Sequence, residues 1–364
     1  MIDIKYIYKI MAFCLAMMAF VSALPVSNNV LILFVFIFLL CSFFIWYFGF
    51  HNFNVNFNKN KLFLVLLLYV TMLSSFKFFL YDDLYIFLTT VLSLMICFSM
   101  LVAIEERYKS EFVELFLKTV FVFGGILLAL MLAFGNLAQG GFVLENAPAS
   151  FMVPYTFYYT LKAESKIKVF LMIAFVFSVS ILLESRTSQV LMICLIFHQV
   201  LTAFGYKRFY SVLNYSLVCV VFSASIIAYN NEYLFYILND ILTNRLIIWY
   251  FYIGGVDDFL FGSSISYKEM SSLVSGFLSS ELDRGVAEHY GTHSSLVKYF
   301  FDFGFIGFIL FLVSALYIVF RYSYSIFTTY LLSIILLTST MVGQANLFGI
   351  MLSLIFLGAF SYDE

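Results

Sequence analysis

The sequence predicts an all-α integral membrane protein of about 12 transmembrane helices, and three observations lead there. Of its 364 residues, 63% are hydrophobic and 11% charged, whereas a soluble domain carries about 25% charged residues. Apolar runs long enough to cross a bilayer recur along the whole chain. Lys and Arg are shared unevenly between the loops that join those runs. Forty-eight Phe and 26 Tyr could fill a large soluble core, but such a core also needs a charged exterior, and this composition lacks one.

In chain order, a window of about 19 residues finds apolar spans at 7–25, 30–50, 62–80, 84–104 and 116–136. The first span lacks a small-residue cleavage site, so it reads as a retained helix and not a signal peptide. A weaker span at 147–162 contains Pro148 and Pro154. Spans follow at 168–184, 187–204 and 208–228, then a mixed segment at 229–296, then spans at 298–320, 324–342 and 346–361. Residues 1–364 thus read as a single polytopic membrane domain, with 229–296 as its one sizeable extramembranous segment. Twelve spans put both termini on one side.

Loop charge tests that count independently of hydropathy, because cytoplasmic loops collect Lys and Arg. With the N-terminus inside, thirteen of the 19 cationic residues are cytoplasmic, among them Lys5, Lys9, Lys118, Lys162, Lys166 and Lys168. Five lie outside, Arg186, Arg245, Lys268, Arg284 and Lys298, and Lys77 falls within a span. Deleting the sixth span would move Lys207 and Arg208 outside and Arg186 inside, which weakens the asymmetry. The orientation also makes Arg186, Arg245, His293 and the neighbouring Ser188 reachable from outside.

Other chemistry is excluded or disfavoured. A formal net charge of -2 without a basic stripe leaves no electrostatic footprint for nucleic acid. Cys14, Cys41, Cys97, Cys194 and Cys219 all fall within apolar spans and read as buried apolar side chains, not as a disulfide framework.

The outside cations are the candidate functional residues, since an ionisable group beside hydrocarbon must compensate its desolvation. Arg186 sits in a short turn with Glu184, Ser185, Thr187 and Ser188. It reads as a functional cation, as an interfacial anchor, or as the partner of Glu184 in a salt bridge. Residues 233–253 read as one amphipathic helix whose polar stripe carries Asn239, Asp240, Thr243 and Asn244. Arg245 points away from that stripe, among Leu238, Ile241, Ile248 and Trp249, with Trp249 one turn on and in stacking range. The alternatives are a helix broken near Asn244 or an arginine that snorkels to lipid phosphate.

Further on, Asp283, Arg284, Glu288, His289 and His293 gather before the tenth span. His289 and His293 are four apart, as a metal pair would be, but Gly291 between them opposes a helix and no third ligand is placed. Lys298 and Asp302 are spaced for a local ion pair, while Gly304 and Gly307 are expected to let another helix approach closely.

The order of these motifs resembles the Wzy-type O-antigen polymerase and O-antigen ligase superfamily of membrane glycosyltransferases. Ser185-Arg186 opens one helix; Arg245 is followed by Trp249 and then Phe261-Gly262; His293-Ser294 precedes Gly304 and Gly307. The resemblance spans about residues 165–345, and the first five spans match only in hydropathy. It implies a GT-C-like fold, an undecaprenyl-diphosphate-linked glycan donor and a second lipid-linked glycan as acceptor. It further implies metal-independent transfer without a cofactor, at the periplasmic face of a bacterial inner membrane, with a chain-length regulator as a further partner. Arg186, Arg245 and His293 match its functional residues; Arg284, His289 and Trp249 are the accompanying substrate-binding candidates.

The residue types suit that chemistry. Breaking a sugar–phosphate bond builds negative charge on the departing diphosphate. Guanidinium forks can meet that charge bidentately without a metal, at roughly 1.5–3 kcal/mol per charge-assisted hydrogen bond. The acceptor hydroxyl needs a proton acceptor, a task suited to histidine. Three rivals stand beside this reading. A ligase would transfer the glycan to lipid A core. A flippase would show paired repeats and midplane charges. A different glycosyltransferase would use Asp82-Asp83 or Asp257-Asp258 as a carboxylate base.

Overall fold

The structure, a computed structural model, describes residues 4–22, 28–49, 68, 69, 72, 73, 75, 76, 106–134, 147–163, 165–205, 231, 233, 236, 237, 239, 245–265, 267–282 and 295–321. These are helical apart from short turns and one isolated antiparallel bridge between Asp258 and Gly262, with no strand among the described residues. The all-α class predicted above is the class observed. The spans expected at 84–104, 208–228, 324–342 and 346–361 lie outside the described residues.

Among the described residues, six helices pack into a first bundle: α1 (Ile4–Ser22), α2 (Asn28–Gly49), α3 (Glu106–Phe134), α4 (Ala147–Lys162), α5 (Lys166–Leu182) and α6 (Arg186–Ala203). Helix α3 begins ten residues before its apolar run. Hydropathy marks where a helix meets an apolar solvent, whereas backbone hydrogen bonding continues through the charged turn before it. The weak sixth span is a full helix, α4. Pro148 occupies its first turn, where a missing N–H costs nothing, and the helix continues through Pro154. Its poor hydropathy and deep burial have one cause: small and ring side chains face other helices here. Gly124 of α3 admits the Pro148 carbonyl, which an added Cβ would meet at 2.9 Å. The missing side chain lets the two helix backbones approach closely.

Paired contacts fix the helix directions. Lys5 meets Glu111 at 3.0 Å, and Phe20 meets Phe123 at 4.6 Å, so α1 and α3 run parallel. Gly124 lies beside Pro148 and Met152, Phe121 beside Tyr155 at 5.4 Å, and Glu114 accepts from the Tyr158 hydroxyl at 3.3 Å; α4 is therefore antiparallel to α3. The short α4–α5 and α5–α6 turns reverse the chain twice more. Lys5, Lys9, Lys162, Lys166 and Lys168 thus gather at one end of the bundle, and the turn that opens α6 with Arg186 lies at the other.

Among the described residues, several helices expose apolar faces. On α5, Val169, Ile173, Val176 and Val179 are buried, yet the opposite face shows Ile167, Phe170, Leu171, Phe175 and Leu182, with Phe170 68% exposed. Among the described residues one helical stretch, Ser110–Ala133, is long and apolar enough to cross a membrane by length and composition, and Ile32–Ile45 and Ser188–Ala203 are shorter apolar helices.

Three further helices form a second cluster: α7 (Arg245–Gly254), α8 (Tyr267–Leu282) and α9 (Ser295–Arg321). Leu246, Ile248, Trp249 and Tyr252 of α7 pack with Met270 and Val274 of α8 and with Val297 and Phe301 of α9. Helix α9 kinks at Gly304, whose φ of 65° and ψ of -167° are essentially confined to glycine. The loop after α7 enters this kink. A Cβ on Gly304 would strike the Leu260 carbonyl, so the expectation that Gly304 admits another helix is corrected: it admits a loop. Gly307 does adjoin a helical residue, Tyr69, whose hydroxyl donates to the Phe303 carbonyl at 3.0 Å.

Gly304→Ala should lower the thermal stability of detergent-solubilised protein by at least ~2 kcal/mol, combining backbone strain with the clash against the loop. An unchanged melting temperature would mean that the kink does not exist in solution.

Candidate functional site

The turn carrying Arg186 is built by a Schellman motif at the end of α5. Ser185 N–H donates to the Ser180 carbonyl at 2.9 Å and Glu184 N–H to the Ile181 carbonyl at 3.0 Å. Together these satisfy two orphan carbonyls. The position that is usually glycine is Glu184, at φ 50°, whereas α6 ends conventionally on Gly205 at φ 79°. Across the turn, Gln189 donates from Nε2 to the Ser180 carbonyl at 3.0 Å, and the Ser185 hydroxyl donates to Ser188 Oγ at 2.9 Å. The first residue of α6, Arg186, is held by this network. Ser188, expected to be reachable from outside, is instead 2% exposed, because its hydroxyl faces back into the turn.

Arg245 is the first residue of α7. The Asn239 side chain, 4% exposed, accepts from the Ile247 N–H at 3.0 Å. In one continuous helix, eight residues would separate these groups by about 12 Å. The expectation of a single amphipathic helix over 233–253 is therefore corrected: the chain breaks, and Asn239 satisfies a donor at the new helix start. Of the polar stripe read into that helix, Asn239 serves as a cap, and Asp240, Thr243 and Asn244 lie outside the described residues. Trp249, one turn after Arg245, is 9% exposed in the cluster with Val297 and Phe301.

Between α7 and α8 the chain makes a compact loop. Asp258 Oδ1 accepts from the backbone N–H groups of Leu260 at 2.9 Å and Phe261 at 3.1 Å, while Asp257 accepts from Ser264 through both its backbone N–H and its hydroxyl. These carboxylate oxygens serve as turn acceptors. The Phe261-Gly262 motif then meets the Gly304 motif directly. A Cβ on Gly262, at φ 94°, would lie 2.6 Å from the Phe301 carbonyl and 2.8 Å from Gly304 N. Ser263 N–H donates to the Phe301 carbonyl at 2.7 Å, and Phe305 N–H to the Phe259 carbonyl at 2.8 Å.

That seating sets how α7 and α9 run. The far end of α7 and its loop meet Phe301 to Phe305, and Tyr252 packs against Phe301 at 5.1 Å. Leu246 and Val297 are then the cluster's contributions from the two helix starts. Arg245 and Ser295, two residues after His293, share one end of the cluster. The predicted ion pair is present there too: Lys298 Nζ lies 2.6 Å from Asp302 Oδ2, with side chains 16% and 5% exposed.

The side chains of Arg186 and Arg245, and residues Arg284, His289 and His293, lie outside the described residues. Sequence reasoning missed Gln189, whose only sequence signal is a polar side chain three residues into an apolar helix. It also missed the capping role of Asn239, because hydropathy and helical projection cannot register a hydrogen bond across a chain break. No family model matches the sequence, and no curated protein is significantly similar to it.

Glu184→Gly should raise stability by about 0.5–1 kcal/mol, since glycine adopts the left-handed conformation without the penalty of a Cβ. Thermal unfolding in detergent measures this. A fall would instead identify a compensating Glu184–Arg186 pair.

Proposed function

We propose that this chain is a GT-C-like membrane glycosyltransferase of about 12 spans, with both termini cytoplasmic, that polymerises undecaprenyl-diphosphate-linked repeats at the periplasmic face of a bacterial inner membrane. The observation that carries the reading is the contact between Gly262 and Gly304. It joins two of the motifs on which the family resemblance rests, and aligns the start of the Arg245 helix with the start of the helix that follows His293. The membrane part is supported by the apolar outer faces of α2, α5 and α6, which water would not tolerate. It is also supported by the separation of the bundle lysines from the Arg186 turn, the polarity that the positive-inside rule requires.

In this reading both arginines begin helices, where the guanidinium and the helix dipole act with the same sign on an approaching diphosphate. The C1–O bond to the diphosphate breaks and the anion leaves stabilised by Arg186 and Arg245, so no general acid is required. The acceptor hydroxyl bonds to C1 and releases its proton to His293. Arg284 and His289 are the accompanying substrate-contact candidates, whereas Trp249 packs in the apolar cluster and anchors the helix that Arg245 opens. The Asp257 and Asp258 oxygens already engage the loop backbone, which favours the arginine and histidine mechanism over a carboxylate base.

Orientation is tested with single cysteines in a cysteine-free background. An impermeant thiol reagent applied to whole spheroplasts should label Glu184→Cys, which is exposed, and spare Lys207→Cys. The reverse pattern removes the periplasmic site.

The division of labour is tested with purified enzyme, lipid-linked repeats and excess chelator. Arg245→Lys keeps the charge but loses the fork, so turnover and donor binding should both fall severely. His293→Ala should keep donor affinity and lose roughly 100- to 10,000-fold in turnover. Near-normal turnover in Arg245→Lys with weakened donor binding in His293→Ala would reverse the two roles, and loss of all activity with chelator would refute metal independence.

A further inference from the structure

At the lysine end of the first bundle, a cleft of about 250 Å³ opens between the first turns of α1 and the charged start of α3. Lys5 and Lys9 line it from α1, and Glu111, Glu114 and Lys118 from α3. Each set is spaced three or four residues apart, so it shares one helical face, and the parallel course of α1 and α3 turns the two faces toward one another. Three ammonium groups against two carboxylates leave one positive charge in excess. Lys5 lies 3.0 Å from Glu111, and Lys9, an exposed side chain, sits over the Tyr6 ring at 5.5 Å.

The floor is apolar. Phe112 is 2% exposed and Tyr8 is 4% exposed. Along α1 the face that carries Lys5 and Lys9 continues one turn on into Phe13, and along α3 the face of Lys118 continues into Val122; both are about half exposed. Charge therefore gives way to apolar surface in the same direction on both walls. A free anion has use only for the rim, whereas an amphiphile uses both parts.

We propose that this cleft binds the phosphodiester headgroup of an anionic phospholipid, with its acyl chains continuing along Phe13 and Val122. The shared chemistry is a monoanionic phosphate held by Lys9 and Lys118, beside the Lys5–Glu111 pair; the apolar continuation selects the lipid source. Basic pockets between helices on a cytoplasmic face recognise headgroups in this way. The inference rests on the membrane reading and on the cytoplasmic placement of the lysine end. It gives α1 and α3 a shared ligand far from the transfer site.

The full-length protein is taken from carbonate-washed membranes into mild detergent, and native mass spectrometry is run with added phosphatidylglycerol or with inorganic phosphate. One phosphatidylglycerol per chain is expected. The Lys9→Gln/Lys118→Gln double variant should weaken it roughly 25-fold, at about fivefold per lysine. Lys162→Gln, at the same end but outside the cleft, should bind normally. Undiminished lipid binding by the double variant overturns the assignment. Binding of inorganic phosphate without phosphatidylglycerol assigns the cleft to a free anion and also overturns it. A chain that stays in the washed membranes but binds neither refutes the cleft alone; a chain released by carbonate refutes the membrane reading beneath it.

Discussion

The contact between Gly262 and Gly304 is the constraint on which the second helical cluster depends. Both residues occupy left-handed backbone, and each lies where a Cβ would strike the other's strand of chain. The bridge from Asp258 to Gly262 and the bonds from Ser263 to Phe301 and from Phe305 to Phe259 close around them. Helix α9 can bend only because Gly304 accepts a conformation closed to other residues, and the bend makes room for the loop. With the loop seated, α7 has one direction left relative to α9. Arg245 and the residues after His293 then start their helices together.

The first bundle solves a different problem. Its helices are joined by close packing and internal hydrogen bonding. Gly124 lets the α4 backbone approach α3, and Phe116, Phe157 and Met11 are fully buried in the interior. Hydroxyls that face helices bond to their own backbone: Thr156 donates to the Met152 carbonyl at 2.9 Å, and Ser180 to the Val176 carbonyl at 2.8 Å. Thr119 and Thr160 likewise donate to the carbonyls of Leu115 and Thr156 one turn back, each at 2.7 Å.

Both candidate arginines follow devices that fix a helix start. Ahead of Arg186 the device is a Schellman turn with a strained Glu184, clamped by Gln189; ahead of Arg245 it is the Asn239 side chain. A helix start is a fitting place to present a cation to phosphate, because the unsatisfied N–H groups add to its field. Strain at Glu184 has the same logic, since backbone outliers persist where the surrounding structure overdetermines them. Lys298 is a different kind of cation. Asp302 neutralises it in a protected setting, and its part is to hold the first turns of α9.

The sequence by itself determined the all-α class, the bounds of α4 to within its terminal residues, and the Lys298–Asp302 pair. These follow from composition and from the 3.6-residue period, which act within one segment of chain. It also singled out Arg186 and Arg245 as first residues worth naming, through their charge in apolar surroundings. Tertiary structure alone decided that Gly304 receives a loop, that Asn239 caps a separate helix, and that Ser188 is buried. It alone brought Lys5 and Lys9 opposite Lys118. Each of these depends on groups far apart in sequence or on a left-handed backbone, and neither hydropathy nor helical spacing measures distance across a chain reversal.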